Sequence, residues 1–198
     1  METGLEQNKL FTTPQVNGFF EYLLVVHPDE AVYAKLMEEK QAVSKEYQAP
    51  AAIKTKPHIT VANFLAKEEM EPTLIRWMHR IISMQKSFRV TLDQYSGFAP
   101  HTIYLRVQDH APFQQMVKEL KVIDQYVNGY GCPAMYLSTK PHLTVVRNLS
   151  AGIYEQIISA YAKKDFQASF DVHQVILLRR QHQFDRCKQV NVFGLQPV

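Results

Sequence analysis

His58 and His142 each stand in a seven-residue stretch that occurs twice. Thr55-Lys56-Pro57-His58-Ile59-Thr60-Val61 and Thr139-Lys140-Pro141-His142-Leu143-Thr144-Val145 agree at six of seven positions, offset by 142 − 58 = 84 residues. At roughly one chance identity in twenty per position, such a match is expected by coincidence in well under about one per cent of chains this long, so it is an internal repeat. Each stretch reads as a strand opened by proline, because the first strand residue need not donate to the ladder. Side chains alternate along a strand, which places His58 with Thr60 on one face and Ile59 with Val61 on the other. His142 with Thr144, and Leu143 with Val145, divide in the same way. If the two copies pack about a pseudo-twofold axis, two imidazoles and two hydroxyls converge. That set suits a phosphate ester: one imidazole takes a proton, one gives a proton, and the hydroxyls hold non-bridging oxygens. An unperturbed imidazole titrates at about 6.5, so neither role requires a buried carboxylate.

The elements around these stretches repeat as well. Residues 1–18 carry no periodic pattern and read as an N-terminal arm. Phe19 to Val26 is a strand candidate stopped by His27-Pro28, and Asp29 is a candidate N-cap for a helix through about Tyr47. The first motif strand then runs from about Pro57 to Phe64, a helix covers about Glu68 to Met84, and a strand starts at Phe88. The order begins again at Thr102 to Val107, with a helix over about Ala111 to Ile123, the second motif strand over about Pro141 to Asn148, and a helix over about Ile153 to Lys164. A strand from Phe170, continued by Val175 to Leu178, and a closing strand over Gln189 to Leu195 complete it. The expected architecture is α+β: one bilobal pseudo-twofold duplication over 19–198, with units at about 19–100 and 101–195. Each unit is a mostly antiparallel sheet with helices on its outer face, and a central cleft lies between them.

Composition sets limits on partners. The 198 residues are 46% hydrophobic and 21% charged, as expected of a globular chain with a substantial core. A net charge of +3 is compatible with a phosphate-bearing ligand, but no Lys/Arg-rich run or basic helix argues for one. Cys132 and Cys187 lack zinc-cluster or disulfide-framework spacing, residues 1–13 lack an apolar signal core, and no apolar run reaches membrane-spanning length. The expectation is a cytoplasmic monomer that does not associate with membranes. The rival uses of paired histidines are core packing and metal ligation. Duplication together with threonine argues against the first. Against the second, no further ligand type lies at ligand spacing, and His79, His101, His110, His173 and His182 form no cluster.

The pair His58-Ile59-Thr60-Val61 and His142-Leu143-Thr144-Val145, at this spacing and inside this repeated element order, resembles the two-histidine (2H) phosphoesterase superfamily over about residues 19–195. The resemblance is strongest to its branch of bacterial 2'-5' RNA ligases and RNA 2',3'-cyclic phosphodiesterases. It implies a metal-independent, cofactor-free hydrolase acting on cyclic phosphodiesters of RNA ends or small cyclic nucleotides, or on 2'-5' linkages. It also implies catalysis by His58, His142, Thr60 and Thr144. The assignment leans to His58 as acid and His142 as base, although pseudo-symmetry leaves the residues themselves neutral on that point. Candidate substrate-binding residues are Phe64 and Tyr136 by base stacking, Arg147 by charge at the repeat position matching Asn63, and Lys56 and Lys140 at the mouth. Ligation at the same site, and a non-catalytic RNA or nucleotide-binding module, are the alternatives.

Overall fold

The computed structural model describes residues 18–181 and 185–198; the arm expected over 1–18 lies outside these apart from Gly18. The strands are β1 (Phe19–Val26), β2 (Ile59–Lys67), β3 (Phe88–Phe98), β4 (Thr102–Val107), β5 (Tyr136–Leu137), β6 (His142–Val146), β7 (Gln167–Val172), β8 (Gln174–Arg180) and β9 (Lys188–Gly194). The helices are α1 (Glu30–Glu46), α2 (Glu71–Ile82), α3 (Ala111–Gly129) and α4 (Ala151–Tyr161).

Local chemistry explains the helix starts. The Asp29 carboxylate accepts the Val32 N–H at 2.8 Å, satisfying one of the amides a helix leaves unpaired at its start, and α2 and α3 each carry proline in the first turn. Their buried stripes follow helical spacing: Val32, Leu36, Lys40 and Val43 on α1, and Leu74, Met78 and Ile82 on α2. Burying each of the large aliphatic side chains contributes about 1.5–3 kcal/mol, which holds the helices to the sheet more firmly than propensity does.

All strands join one antiparallel sheet in the order β7-β3-β4-β6-β2-β1-β8-β9, with β5 attached to β2. Sequence reasoning leads to two sheets, and the join that makes them one is slight: β6 and β2 meet at the one residue pair Ile59–Leu143. The order is symmetric about that junction. β2 and β6 match, then β1 and β4, then β8 and β3, then β9 and β7 at the edges.

The two halves exchange elements. β3 leaves the first repeat to pair with β4, and β8 leaves the second to pair with β1. Helix α1 follows β1 yet packs on β6 and β7, whereas α3 follows β4 and packs on β2. The segment expected as a continuation of the Phe170 strand does follow directly on it: β7 and β8 are separated only by His173, where the pairing partner changes from β3 to β1. This interleaving leaves neither repeat able to bury its own core without the other.

Candidate functional site

The Ile59–Leu143 pair that joins the halves also sets the geometry of the motifs. Both side chains are fully buried, on the face that the helices cover. In that antiparallel register His58 falls opposite Thr144 and Thr60 opposite His142, and all four lie on the other, open face, half-buried. The two histidines are therefore diagonal neighbours, a relation that in a regular ladder spans about 7–8 Å. Beyond the single pair the strands are no longer hydrogen-bonded to each other, and β5 takes the place beside β2.

Each imidazole is oriented identically. Nδ1 of His58 lies 2.8 Å from the Lys56 carbonyl oxygen, and Nδ1 of His142 lies 3.1 Å from that of Lys140. A carbonyl only accepts, so Nδ1 carries the hydrogen in both rings and Nε2 is left to exchange protons with a ligand. Burial pushes the His58 imidazole down to about 4, partly opposed by the Lys56 carbonyl and reinforced by the positive surroundings of His27, Arg147 and Lys40. Burial lowers His142 too, opposed by the Lys140 carbonyl. The two sites are alike in geometry and unlike in electrostatics.

The surroundings of His142 are aromatic. Phe98 presents its ring edge-on at 5.0 Å between centroids, Tyr104 lies tilted at 5.0 Å, and Phe98 and Tyr104 stack on each other at 4.3 Å. Tyr104 reaches this place because β4 pairs it with Thr144, and the same register sets Arg106 opposite His142. Beside His58 the neighbour is His27, 6.5 Å away between ring centroids. Sequence reasoning did not single out Tyr104, Arg106 or His27 for the site. The alternation Thr102, Tyr104, Arg106 on β4 was the available signal for the first two, but only the strand order reveals that β4 borders the motif.

Arg147 follows the end of β6 on the open face, and its charge reaches His58 as well as Glu21 and Arg180. Tyr136 lies on β5 opposite Asn63, half-buried and facing the same side as Asn63. The Lys56 and Lys140 side chains are exposed, and what these residues bring to the site is their carbonyl oxygens. Phe64 requires correction. It is fully buried and stacks on Tyr22 at 5.2 Å, because the extra residue Val61 shifts the alternation of β2 and turns position 64 toward the core. No ligand reaches it from the open face.

Among the described residues no group of three or more His, Cys, Asp or Glu side chains is placed to hold a metal ion, and no helix is long and apolar enough to cross a membrane. His182 lies outside the described residues.

An α+β duplication whose two His-x-Thr strands meet at a pseudo-twofold junction defines a two-histidine phosphoesterase architecture. The sequence model of the 2'-5' RNA ligase superfamily matches residues 28–183, and the chain belongs to that family. A Bacillus mycoides (strain KBAB4) protein whose name places it among the phosphoesterases is 23% identical over 137 residues, 67% of this chain and 76% of that protein. The crystal structure of Escherichia coli LigT complexed with 3'-AMP superimposes with a TM-score of 0.62 at 18% identity, covering 89% of this chain and 98% of LigT. A Thermus thermophilus protein does so with a TM-score of 0.58 at 17% identity, over 89% and 98% of the two chains. At these identities the likeness is one of fold.

Proposed function

We propose that this phosphoesterase-family chain is a metal-independent phosphodiesterase that opens cyclic phosphodiesters, with 2',3'-cyclic phosphate RNA ends or small cyclic nucleotides as substrates and 2'-5' linkages as a related class. The observation that carries the proposal is the pairing of two His-x-Thr strands through Ile59 and Leu143, with both Nδ1 atoms held on carbonyls. E. coli LigT, a structural neighbour, has been crystallised with 3'-AMP and with phosphate.

In the proposed reaction the phosphate lies between the motifs, with non-bridging oxygens against the Thr60 and Thr144 hydroxyls and the Arg147 guanidinium. One imidazole takes a proton from water as the water oxygen bonds to phosphorus. The bond from phosphorus to one sugar oxygen breaks, and the other imidazole gives that oxygen its Nε2 proton, leaving a phosphomonoester. The phosphate charge raises both imidazole pKa values from their empty-site levels. Because Lys40 and Arg147 disfavour the protonated form of His58, we assign His58 as base and His142 as acid, the reverse of the family-based leaning. With a sugar hydroxyl in place of water as the nucleophile, the same steps open the cyclic phosphate to a phosphodiester, which is ligation at the same atoms.

Turnover of 2',3'-cyclic nucleotides and 2'-5' dinucleotides, with and without EDTA, tests the proposal. The expected result is chelator-independent hydrolysis that falls at least about a hundredfold in His58→Ala and in His142→Ala, the loss typical of removing a general acid or base. Absence of turnover across a broad cyclic phosphate panel, with equal ligand binding by wild type and both variants, favours a non-catalytic binding module and overturns it.

A further inference from the structure

Both motif strands contain a β-bulge at the same repeat position. Against β1, the register passes from Ala62 to Thr60 and leaves Val61 extra; against β4, it passes from Val146 to Thr144 and leaves Val145 extra. A bulge takes one residue out of the ladder and re-aims the side chains beside it, here the threonine and histidine of each motif. It also leaves a carbonyl in need of a donor.

The two copies meet that need differently. Val61 accepts the backbone N–H of Ser138 at 2.9 Å. The Val145 carbonyl accepts from the Lys40 ammonium at 2.9 Å, and the same Nζ lies 3.4 Å from the Thr144 carbonyl oxygen. Lys40 comes from the core-facing stripe of α1 and is 1% exposed, and among the described residues no carboxylate pairs with it. A neutral donor is enough for a carbonyl, as Ser138 demonstrates, and an ammonium buried without a counter-ion is costly to keep. Its presence calls for a use of the charge itself.

We propose that Lys40 is a positioning residue for the reaction proposed above: its ammonium holds the bulge that aims Thr144 and His142, and its buried charge, with that of Arg147, makes the open face attractive to phosphate. The groups facing His58 are Lys40 from α1, Arg147 from the end of β6 and His27 from the end of β1, and all three disfavour its protonation. Lys40 itself is lowered to about 8, by burial first and Arg147 second, so it keeps most of its charge at neutral pH. A phosphate anion arriving at the motifs relieves the crowding of the Lys40 and Arg147 charges. The inference rests on the functional reading for its effect on rate, but not for its effect on anion affinity or on His58.

The test compares the full chain with Lys40→Met and Lys40→Gln. It measures kcat and KM on a 2',3'-cyclic nucleotide, the dissociation constant of inorganic phosphate, and the titration of the His58 ring by NMR. Lys40→Met is expected to lower kcat at least tenfold, weaken phosphate binding severalfold and move His58 titration to higher pH. Lys40→Gln, which keeps a donor and loses the charge, recovers part of kcat while phosphate affinity and His58 titration stay altered. Folded variants with wild-type kcat, phosphate affinity and His58 titration overturn the proposal. If Lys40→Met fails to fold, unchanged phosphate affinity and His58 titration in Lys40→Gln overturn it alone. A wild type inactive on every substrate refutes the assigned reaction, while phosphate binding and His58 titration still decide the role of Lys40.

Discussion

Replacing His58 by glutamine should remove a large part of the acid sensitivity of folding. The folded imidazole is held at about 4 against 6.5 in the unfolded chain, chiefly by burial. Between those values the unfolded state binds the proton and the folded state resists it, so stability rises with pH across this window and is lost as pH falls. From pH 7 to pH 5 the two titration curves differ by about 2 kcal/mol of folding free energy through His58 alone. A domain of this kind has about 5–15 kcal/mol in total, so the effect is measurable. Urea unfolding of wild type and His58→Gln at both pH values gives the comparison, with equal m-values confirming that the same surface is exposed. His142 contributes in the same direction to both proteins and cancels in the difference. If the two proteins lose the same stability between pH 7 and pH 5, the lowering of the His58 imidazole by its surroundings is wrong.

Three further outcomes follow from the site and core. Thr144→Val should lower kcat/KM by roughly tenfold to a hundredfold, the value of one hydrogen bond to a charged oxygen at about 1.5–3 kcal/mol, with thermal stability nearly unchanged. Steady-state kinetics on a cyclic nucleotide checks this, and wild-type kcat/KM removes Thr144 from phosphate binding. Phe98→Ala strips the edge-on ring from His142 and opens the Tyr104 stack, so kcat/KM should fall by about threefold to tenfold, in line with aromatic pairs worth about 0.5–1.5 kcal/mol. An unaltered kcat/KM excludes Phe98 from ring positioning. Phe64→Ala should cost about 3–5 kcal/mol of stability, as for other buried phenylalanines, and leave KM within about twofold of wild type. A raised KM with intact stability returns Phe64 to the binding surface.

Elements governed by local rules were readable from the chain. β1 ends where His27-Pro28 stops it, α1 starts from its Asp29 cap, and β4 occupies Thr102–Val107 as expected, because caps, proline and alternation act over a few residues. Alternation also separated Ile59 and Leu143 from the histidines, and the repeat tied the two motifs together. The bulges were not readable, since an extra residue in a strand is visible only against its partner. That one residue at Val61 sends Phe64 inward and defeats the stacking role expected of it.

The sequence by itself determined that two His-x-Thr strands exist, that each has one apolar and one chemical face, and that they are copies of one unit. These properties are carried by residue type and spacing alone. Only the tertiary structure decided that the copies join through Ile59 and Leu143, that helices and strands cross between halves, and that Lys40, Arg147 and His27 gather at His58 while Phe98 and Tyr104 gather at His142. The repeat makes the two histidines equivalent along the chain. Contacts between residues distant in sequence make them different, because charge and burial act through space.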